Sequence, residues 1–233
     1  MITIYTITYN EELIIQFFIN HYRTRFPNCK IVIHDNYSTD NTEAIALQNN
    51  CEVIKFDTNN EFRDDIHRDI KNSCWKNSST KWVVVCDADE CLDITQEELS
   101  EEQSKGTTII NTQGWNMINL NHEINLEQMQ YGYIFNPESK RILFDKDSVS
   151  EINYDAGGHS IKPIGLANYS PRIYNLLHYK CLSEDYLVER YKLLNSRLSE
   201  INRANRWGFQ YTYSEREIRQ DYNELKKNVT KLL

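Results

Sequence analysis

The run Trp82-Val83-Val84-Val85-Cys86-Asp87-Ala88-Asp89-Glu90 joins an apolar, β-forming stretch directly to three clustered acids. A strand buried on both faces reads as continuous apolar sequence, and it cannot carry that much negative charge inward. The carboxylates are therefore expected at the strand's C-terminal end, where an open α/β sheet binds its ligands. Asp87 and Asp89, one residue apart where strand becomes loop, can jointly ligate a hard divalent ion such as Mn²⁺ or Mg²⁺. Such an ion keeps waters and substrate phosphate oxygens in its shell. Taken alone, the same pattern also describes a solvated acidic loop, so the surrounding chain has to decide.

Upstream, strands and helices alternate. Residues 2–8 are β-rich; Asn10 then offers an N-cap, Glu11 and Glu12 a first turn, and Leu13, Ile14, Phe17, Phe18, His21 and Tyr22 recur at helical spacing. A second strand over 30–34 ends at Asp35, and a polar turn leads to a helix over 42–49 capped by Asp40 or Asn41. A third strand (51–56), a helix (64–75) with Ile66 and Ile70 inward, and a fourth strand (81–86) complete the pattern. Repeated strand–helix–strand units predict a parallel sheet with right-handed crossovers. After Asp93 the character becomes α+β: a short acidic helix over 95–103, then β-prone runs at 107–112, 115–120, 140–144 and 172–178. From Ser183 a helix carries Tyr186, Leu187, Tyr191, Leu194, Leu198 and Ile201 on one face, and 214–233 is expected to form another. Seven glycines and four prolines leave no evident linker, so residues 1–233 read as one domain, with an α/β half (1–93), an α+β half (94–182) and a helical tail (183–233).

The 233 residues suffice for a sizeable core, and 40% apolar with 26% charged residues are ordinary globular values. Lys+Arg 26 against Asp+Glu 34 gives a net charge of −8, which argues against nucleic acid as the main partner. The six cysteines form no C-x-x-C pair, and most sit in or beside apolar runs, as reduced thiols of a cytoplasmic protein would. The segment 1–8 has neither the basic flank nor the cleavage site of a signal peptide. No apolar window approaches the roughly 20 residues that span a bilayer, so any membrane contact is expected to be peripheral.

Four features fall at the ends of successive strands: Thr8-Tyr9-Asn10-Glu11, Asp35 with Ser38-Thr39-Asp40-Asn41-Thr42, the helix start at 64–72, and Asp87-Ala88-Asp89-Glu90. In this order and spacing they resemble the nucleotide-sugar-binding half of GT-A-fold glycosyltransferases of the family-2-like group, over about the first ninety residues. The resemblance implies a Rossmann-like nucleotide-binding half with a mostly parallel sheet, an α+β acceptor half and a C-terminal helical tail. It also implies a metal-dependent transferase moving a sugar from a nucleotide-diphosphate sugar, a UDP-sugar in first expectation, to a glycan acceptor. By the same resemblance Thr8, Asn10 and Glu11 contact substrate, and Asp35 bonds the base, although Asn36 and Tyr37 stand where the family has a second acid and a glycine. Arg68, with Lys71-Asn72, falls where an Arg-rich helix lines the diphosphate pocket. The resemblance further implies that Asp89 is the direct metal ligand and that Asp87 supports the ribose or the metal through water. Glu90 matches a D-x-D-E subgroup, as do Gly157-Gly158-His159-Ser160, Leu177-His178-Tyr179-Lys180 and 203–211.

Breaking a sugar–diphosphate bond puts negative charge on the departing group, which a metal and a cationic side chain stabilise. A neutral imidazole suits Mn²⁺ as a third ligand from the second half. His159, in its Gly-Gly-His setting, is the first choice; His178 is the second, with a hydrogen-bonded structural role as its alternative. Lys162, Arg172 and Lys180 face either the diphosphate or solvent. An inverting transferase needs a carboxylate to deprotonate the acceptor, and without the family's Glu-Asp motif the expected base is Asp155 or Glu151. Arg203-Ala204-Asn205-Arg206-Trp207 looks like the R/Q-x-x-R-W signature of processive synthases but lacks its companion features; Trp207, Phe209, Tyr211 and Tyr213 either stack on a sugar or pack the tail. Two other readings compete: a sugar-phosphate nucleotidyltransferase, which would need a Gly-rich basic loop where Thr8–Glu11 is polar and acidic, and a degenerate binding module, against which Asp35, Asp87 and Asp89 weigh.

Overall fold

The computed structural model describes residues 1–121 and 123–232. In its first half the chain runs β1 (Ile2–Thr8), α1 (Ile15–Arg25), β2 (Lys30–Asp35), α2 (Thr42–Gln48), β3 (Glu52–Lys55), α3 (Asp64–Ser73) and β4 (Trp82–Asp87). It continues through β5 (Glu90–Asp93), α4 (Gln96–Ser104), β6 (Ile109–Ile118), β7 (Tyr131–Ile134), β8 (Leu143–Asp145), β9 (Val149–Glu151), β10 (Ile164–Gly165) and β11 (Tyr169–Cys181). The tail comprises α5 (Glu184–Arg197), α6 (Glu200–Asn205), α7 (Glu215–Leu225) and β12 (Thr230–Lys231).

Alternation along β4 explains why its apolar run is unbroken. Trp82, Val84 and Cys86 join Ile2, Ile4, Phe18 and Tyr22 on one face, while Val83 and Val85 join Tyr5, Trp75 and Phe144 on the other. Both faces are covered, as a central parallel strand requires. The main sheet runs β12-β7-β6-β8-β4-β1-β2-β3, with β11 between β6 and β5. β3, β2, β1 and β4 are mutually parallel, and β8 adds to β4 antiparallel. β2 and β3 lie on one side of β1 and β4 on the other, so a crevice opens beyond the C-terminal ends of β1 and β4. Thr8 stands opposite Asp35, and Ile7 opposite Asp87, which brings three motif loops to one sheet edge.

β5 leaves the acidic turn at once and runs antiparallel to β11, which is parallel to β6; β6 is antiparallel to β7. His178 is thereby in register with both Glu90 and Asn116, and Asn116 with Tyr133. One row of side chains crosses four strands.

Several boundaries differ from the sequence expectation for local reasons. Asn10 does not cap α1: it adopts φ 54°, and the helix begins at Ile15 with no side-chain cap. The runs 107–112 and 115–120 are one strand, β6, passing through Gly114. The helix expected to reach Ile201 ends at Arg197, because Leu198 turns extended (ψ 113°) and Ser199 caps α6 afresh. The Phe62 amide bonds the Arg197 carbonyl at 2.6 Å at this break, and Ile201 is left 37% exposed, off the buried stripe. The tail is helical through a Ser214/Glu217 capping box on α7, but its last strand returns to the sheet beside β7.

Gly114 is fixed by a close approach. A Cβ there would lie 2.4 Å from the Glu138 carbonyl carbon, so the turn 136–138 rests directly on β6. Gly114→Ala is expected to lower stability by about 1–3 kcal/mol through overpacking, read by urea denaturation. Unchanged stability would show that the turn can move away freely.

Candidate active site

A cleft of about 370 Å³ lies at this sheet edge, bounded by the loops after β1 and β4, the start of α3, the end of β11, one face of α5 and the segment 206–211. Its acidic turn is neutralised by two buried lysines. On α3 the one fully buried residue is Lys71, whose ammonium lies 2.7 Å from Asp87 Oδ1 and 2.8 Å from Oδ2. Lys140 Nζ lies 2.6 Å from Glu90 Oε1, 3.1 Å from Glu138 Oε2 and 3.4 Å from Asp87 Oδ2. Glu90 Oε2 accepts the Asp87 amide at 2.9 Å, so Glu90 braces the turn from beneath. Burial would raise Asp87, but Lys71 and then Lys140 hold it well below the carboxylate range. Glu90, with less compensation against its burial, is pushed up.

Asp89 meets β11. Its carbonyl accepts the Tyr179 amide at 2.7 Å, and its Oδ2 lies 2.9 Å from His178 Nε2. The other ring nitrogen, Nδ1, is 3.0 Å from Asn116 Oδ1, while Asn116 Nδ2 donates to Tyr133 Oη at 2.9 Å. Because Tyr133 takes the amide N–H, Asn116 turns its oxygen to His178, which assigns a proton to Nδ1. Nε2 and Asp89 Oδ2 then form a pair of acceptors that needs a cation between them, either a proton or a metal. Burial alone would lower His178; Asp89 and Glu138 overcome it and raise it to about 9. This oxygen–nitrogen pair fits a first-row divalent ion. The neighbouring triad Glu90, Glu138 and His178, with one donor atom of each within 4.8 Å of the others, does not fit as well: the Lys140 ammonium already reaches both carboxylates.

Of the other residues expected at the site, Thr8, Glu11, Arg68 and Lys180 line the cleft. Asp35 does not. Fully buried, it accepts from Thr8 Oγ1 (3.0 Å), Ser38 N (3.0 Å), Ser38 Oγ (2.5 Å) and Lys55 Nζ (2.6 Å), so it braces the loop, and Asn36 beside it faces the cleft. Asn10 bonds Thr39 instead. Lys162 is exposed and Arg172 pairs with Glu98 at 2.7 Å, both off the cleft lining. The two expected bases are also off that lining: Asp155 accepts from Ser160 N and Oγ (2.9 and 2.8 Å), and Glu151 pairs with Lys76 at 2.6 Å. His159 lines the cleft, but its Nδ1 is engaged 2.9 Å from the Pro137 carbonyl.

Five contributors were not legible as such. Arg190 and Arg197 project from α5 either side of Leu194. Arg190 bonds the Tyr9 carbonyl at 2.9 Å and pairs with Glu11; Arg197 stacks 3.2 Å above the Tyr9 ring and donates to Asn36 Oδ1 at 2.6 Å. Glu138 ends the single 3₁₀ turn at 136–138, and Lys140 follows it outside any helix or strand. Asp64, at the start of α3, accepts from Asn202 Nδ2 at 2.8 Å, tying α3 to α6. Burial raises it to about 6 despite Lys71. Beyond α6, Arg206 and Gly208 adopt left-handed φ of 59° and 67°, folding Trp207, Phe209 and Tyr211 over the cleft; Tyr213 instead stacks on Phe209 outside it.

The family described as glycosyl transferase family 2 matches residues 3–147, well over half of the chain. The chain belongs to this family. Its mixed α/β architecture is that of the GT-A fold. No curated protein matches the sequence. Among solved structures it is similar to S. aureus TarS, at 13% identity and TM-score 0.44, over 97% of this chain and 42% of that one. It is also similar to S. aureus TarS 1-349 in complex with UDP (12%, TM-score 0.48, 95% and 70%) and to the mannosyltransferase PcManGT from Pyrobaculum calidifontis in complex with GDP-Man and Mn²⁺ (10%, TM-score 0.47, 96% and 73%). The chain thus spans less than half the length of the first of these. Among the described residues no helix is long and apolar enough to cross a membrane.

Lys140 is the residue on which the chain's buried charge balance depends. Lys140→Met is expected to destabilise the fold by about 3–5 kcal/mol, since it leaves Glu90 and Glu138 buried without their cation. Thermal or urea unfolding reads this, and a variant as stable as the parent would show that water reaches the cluster.

Proposed function

We propose that the transferase moves a sugar from a nucleotide-diphosphate sugar, with a UDP-sugar as our first reading, to a saccharide acceptor, using Mn²⁺ or Mg²⁺ held by Asp89 and His178. The observation that carries this is His178 Nε2 facing Asp89 Oδ2 at 2.9 Å in the ligand crevice of the sheet, where a bound metal would take the place of the proton between them. Bound there, the ion would offset the negative charge that develops on the departing nucleoside diphosphate. Lys180 and Arg68 in the cleft lining would bind the diphosphate, and Asp87, held ionised by Lys71 and Lys140, would keep the turn in shape. In this reading residues 1–93 bind the donor, 94–182 the acceptor, and 183–233 cover the cleft.

His178 is preferred over His159 because its remote nitrogen is fixed by Asn116, an arrangement that orients a ligating imidazole. UDP at a hundredfold its dissociation constant would stabilise the protein by about 2.7 kcal/mol. We expect that stabilisation to require Mn²⁺, to be lost in Asp89→Asn and His178→Ala, and to survive in His159→Ala, all read as thermal shifts. Equal stabilisation with and without Mn²⁺ would contradict the proposal.

Asp64 is our candidate for the base that deprotonates the acceptor. The cationic neighbours of Asp87, Asp89 and Glu138 keep those carboxylates low, Glu138 at about 2, whereas Asp64 at about 6 matches the neutral range. The active form is the carboxylate, so kcat/KM should rise as pH increases through about 6. Asp64→Asn retains an oxygen for Asn202 and should abolish that limb; an unchanged pH profile would exclude Asp64.

A further inference from the structure

A second cavity, of about 420 Å³, adjoins the cleft at His159, whose ring lines both. The wall between them is the run 138–141. Glu138 and Lys140 line the cleft, whereas Ser139 and Arg141 line the second cavity. The two faces differ in charge balance. Lys140, on the cleft side of this wall, has carboxylates against it, but Arg141 has none within 4 Å among the described residues. Its Nε donates to Asn111 Oδ1 at 3.0 Å and one Nη1 hydrogen goes to the Ser139 carbonyl, which fixes the guanidinium plane. The remaining N–H groups, the Nη2 pair among them, have no protein acceptor among the described residues.

The surroundings extend the donor character. Ser139 Oγ accepts the Gly114 amide at 2.9 Å, which leaves its own hydrogen to donate, and Tyr169 brings a phenol to the lining. Burial pushes the Arg141 guanidinium below its ordinary range, because a partly buried cation is unfavourable without a counter-charge. A planar fork with free hydrogens in a roomy polar cavity is suited to bidentate binding of an oxyanion.

We propose that this cavity is an acceptor subsite for an anionic substituent, a carboxylate or a phosphate, bound by the Arg141 guanidinium beside the cleft. The proposal rests on the transferase reading above, and it makes the saccharide acceptor an acidic one. Lys140, on the cleft face of the same wall, is already paired with Glu90 and Glu138.

The test uses the full chain with Mg²⁺ and UDP, following the arginine Nε–Hε resonances by NMR. Sodium glucuronate or inorganic phosphate should move the Arg141 resonance and neutral glucose should not; Arg141→Gln should weaken binding of the responding anion about tenfold by calorimetry, the loss of one charge-assisted contact. Tighter binding of glucuronate identifies a uronic-acid acceptor, and tighter binding of phosphate a phosphorylated one. If both anions leave the resonance where glucose leaves it, or bind Arg141→Gln as tightly as the parent, the proposal is overturned. Arg141→Gln should keep the full Mg²⁺–UDP stabilisation. Loss of that stabilisation in the unsubstituted protein would instead contradict the donor reading, so the two failures are distinguishable.

Discussion

The register row Glu90–His178–Asn116–Tyr133 is the constraint on which the site depends. Four strands from the two halves of the chain are locked by main-chain pairing, and their side chains at this level meet as a consequence. A one-residue slip of β11 would turn His178 to the opposite face and remove the imidazole from Asp89 altogether. The D-x-D turn is held the same way: β5 begins at Glu90, so Asp89 is anchored by the Tyr179 amide one residue from a paired strand. The acidic turn is less a loop than a bend between β4 and β5.

Placing acids and lysines this deep is unfavourable unless every charge has a partner. The structure answers with a shared arrangement rather than isolated pairs. Lys140 reaches Glu90, Glu138 and Asp87, and Lys71 takes both oxygens of Asp87. Removing any one member strands at least one other, so the cluster is expected to behave as a unit. Its position follows from Gly114, which lets the 136–138 turn touch β6 and deliver Glu138 and Lys140 on one side and Arg141 on the other. The second half of the chain thus supplies the counter-charge for the first.

Local pattern made the first ninety residues legible. The unbroken β4 run, its terminal acids and the strand–helix alternation specified a parallel sheet and the edge at which ligands gather. The role of Asp35 was not legible, because a strand-end carboxylate looks the same whether it faces the cleft or is enclosed by Thr8, Ser38 and Lys55. Nor was the pairing of His178 with Asp89, which arises from β11 lying between β5 and β6, a long-range register that leaves no periodic trace. The break in the tail helix at Leu198 depends on a main-chain contact with Phe62, 136 residues earlier, and so had no local signal. Arg190, Leu194 and Arg197 do share a helical face, but an arginine on an amphipathic stripe ordinarily faces water, and only the neighbouring β1 loop gives these two a role.

The account stands on His178 as the proposed imidazole ligand, with Nδ1 held by Asn116 and Nε2 directed at the ion. Electron spin-echo modulation of the Mn²⁺–UDP complex measures this directly, because a coordinated imidazole nitrogen couples to the electron spin of the ion. The account predicts one such nitrogen in the parent protein, retained in His159→Ala and lost in His178→Ala. Retention in His178→Ala with loss in His159→Ala would contradict it.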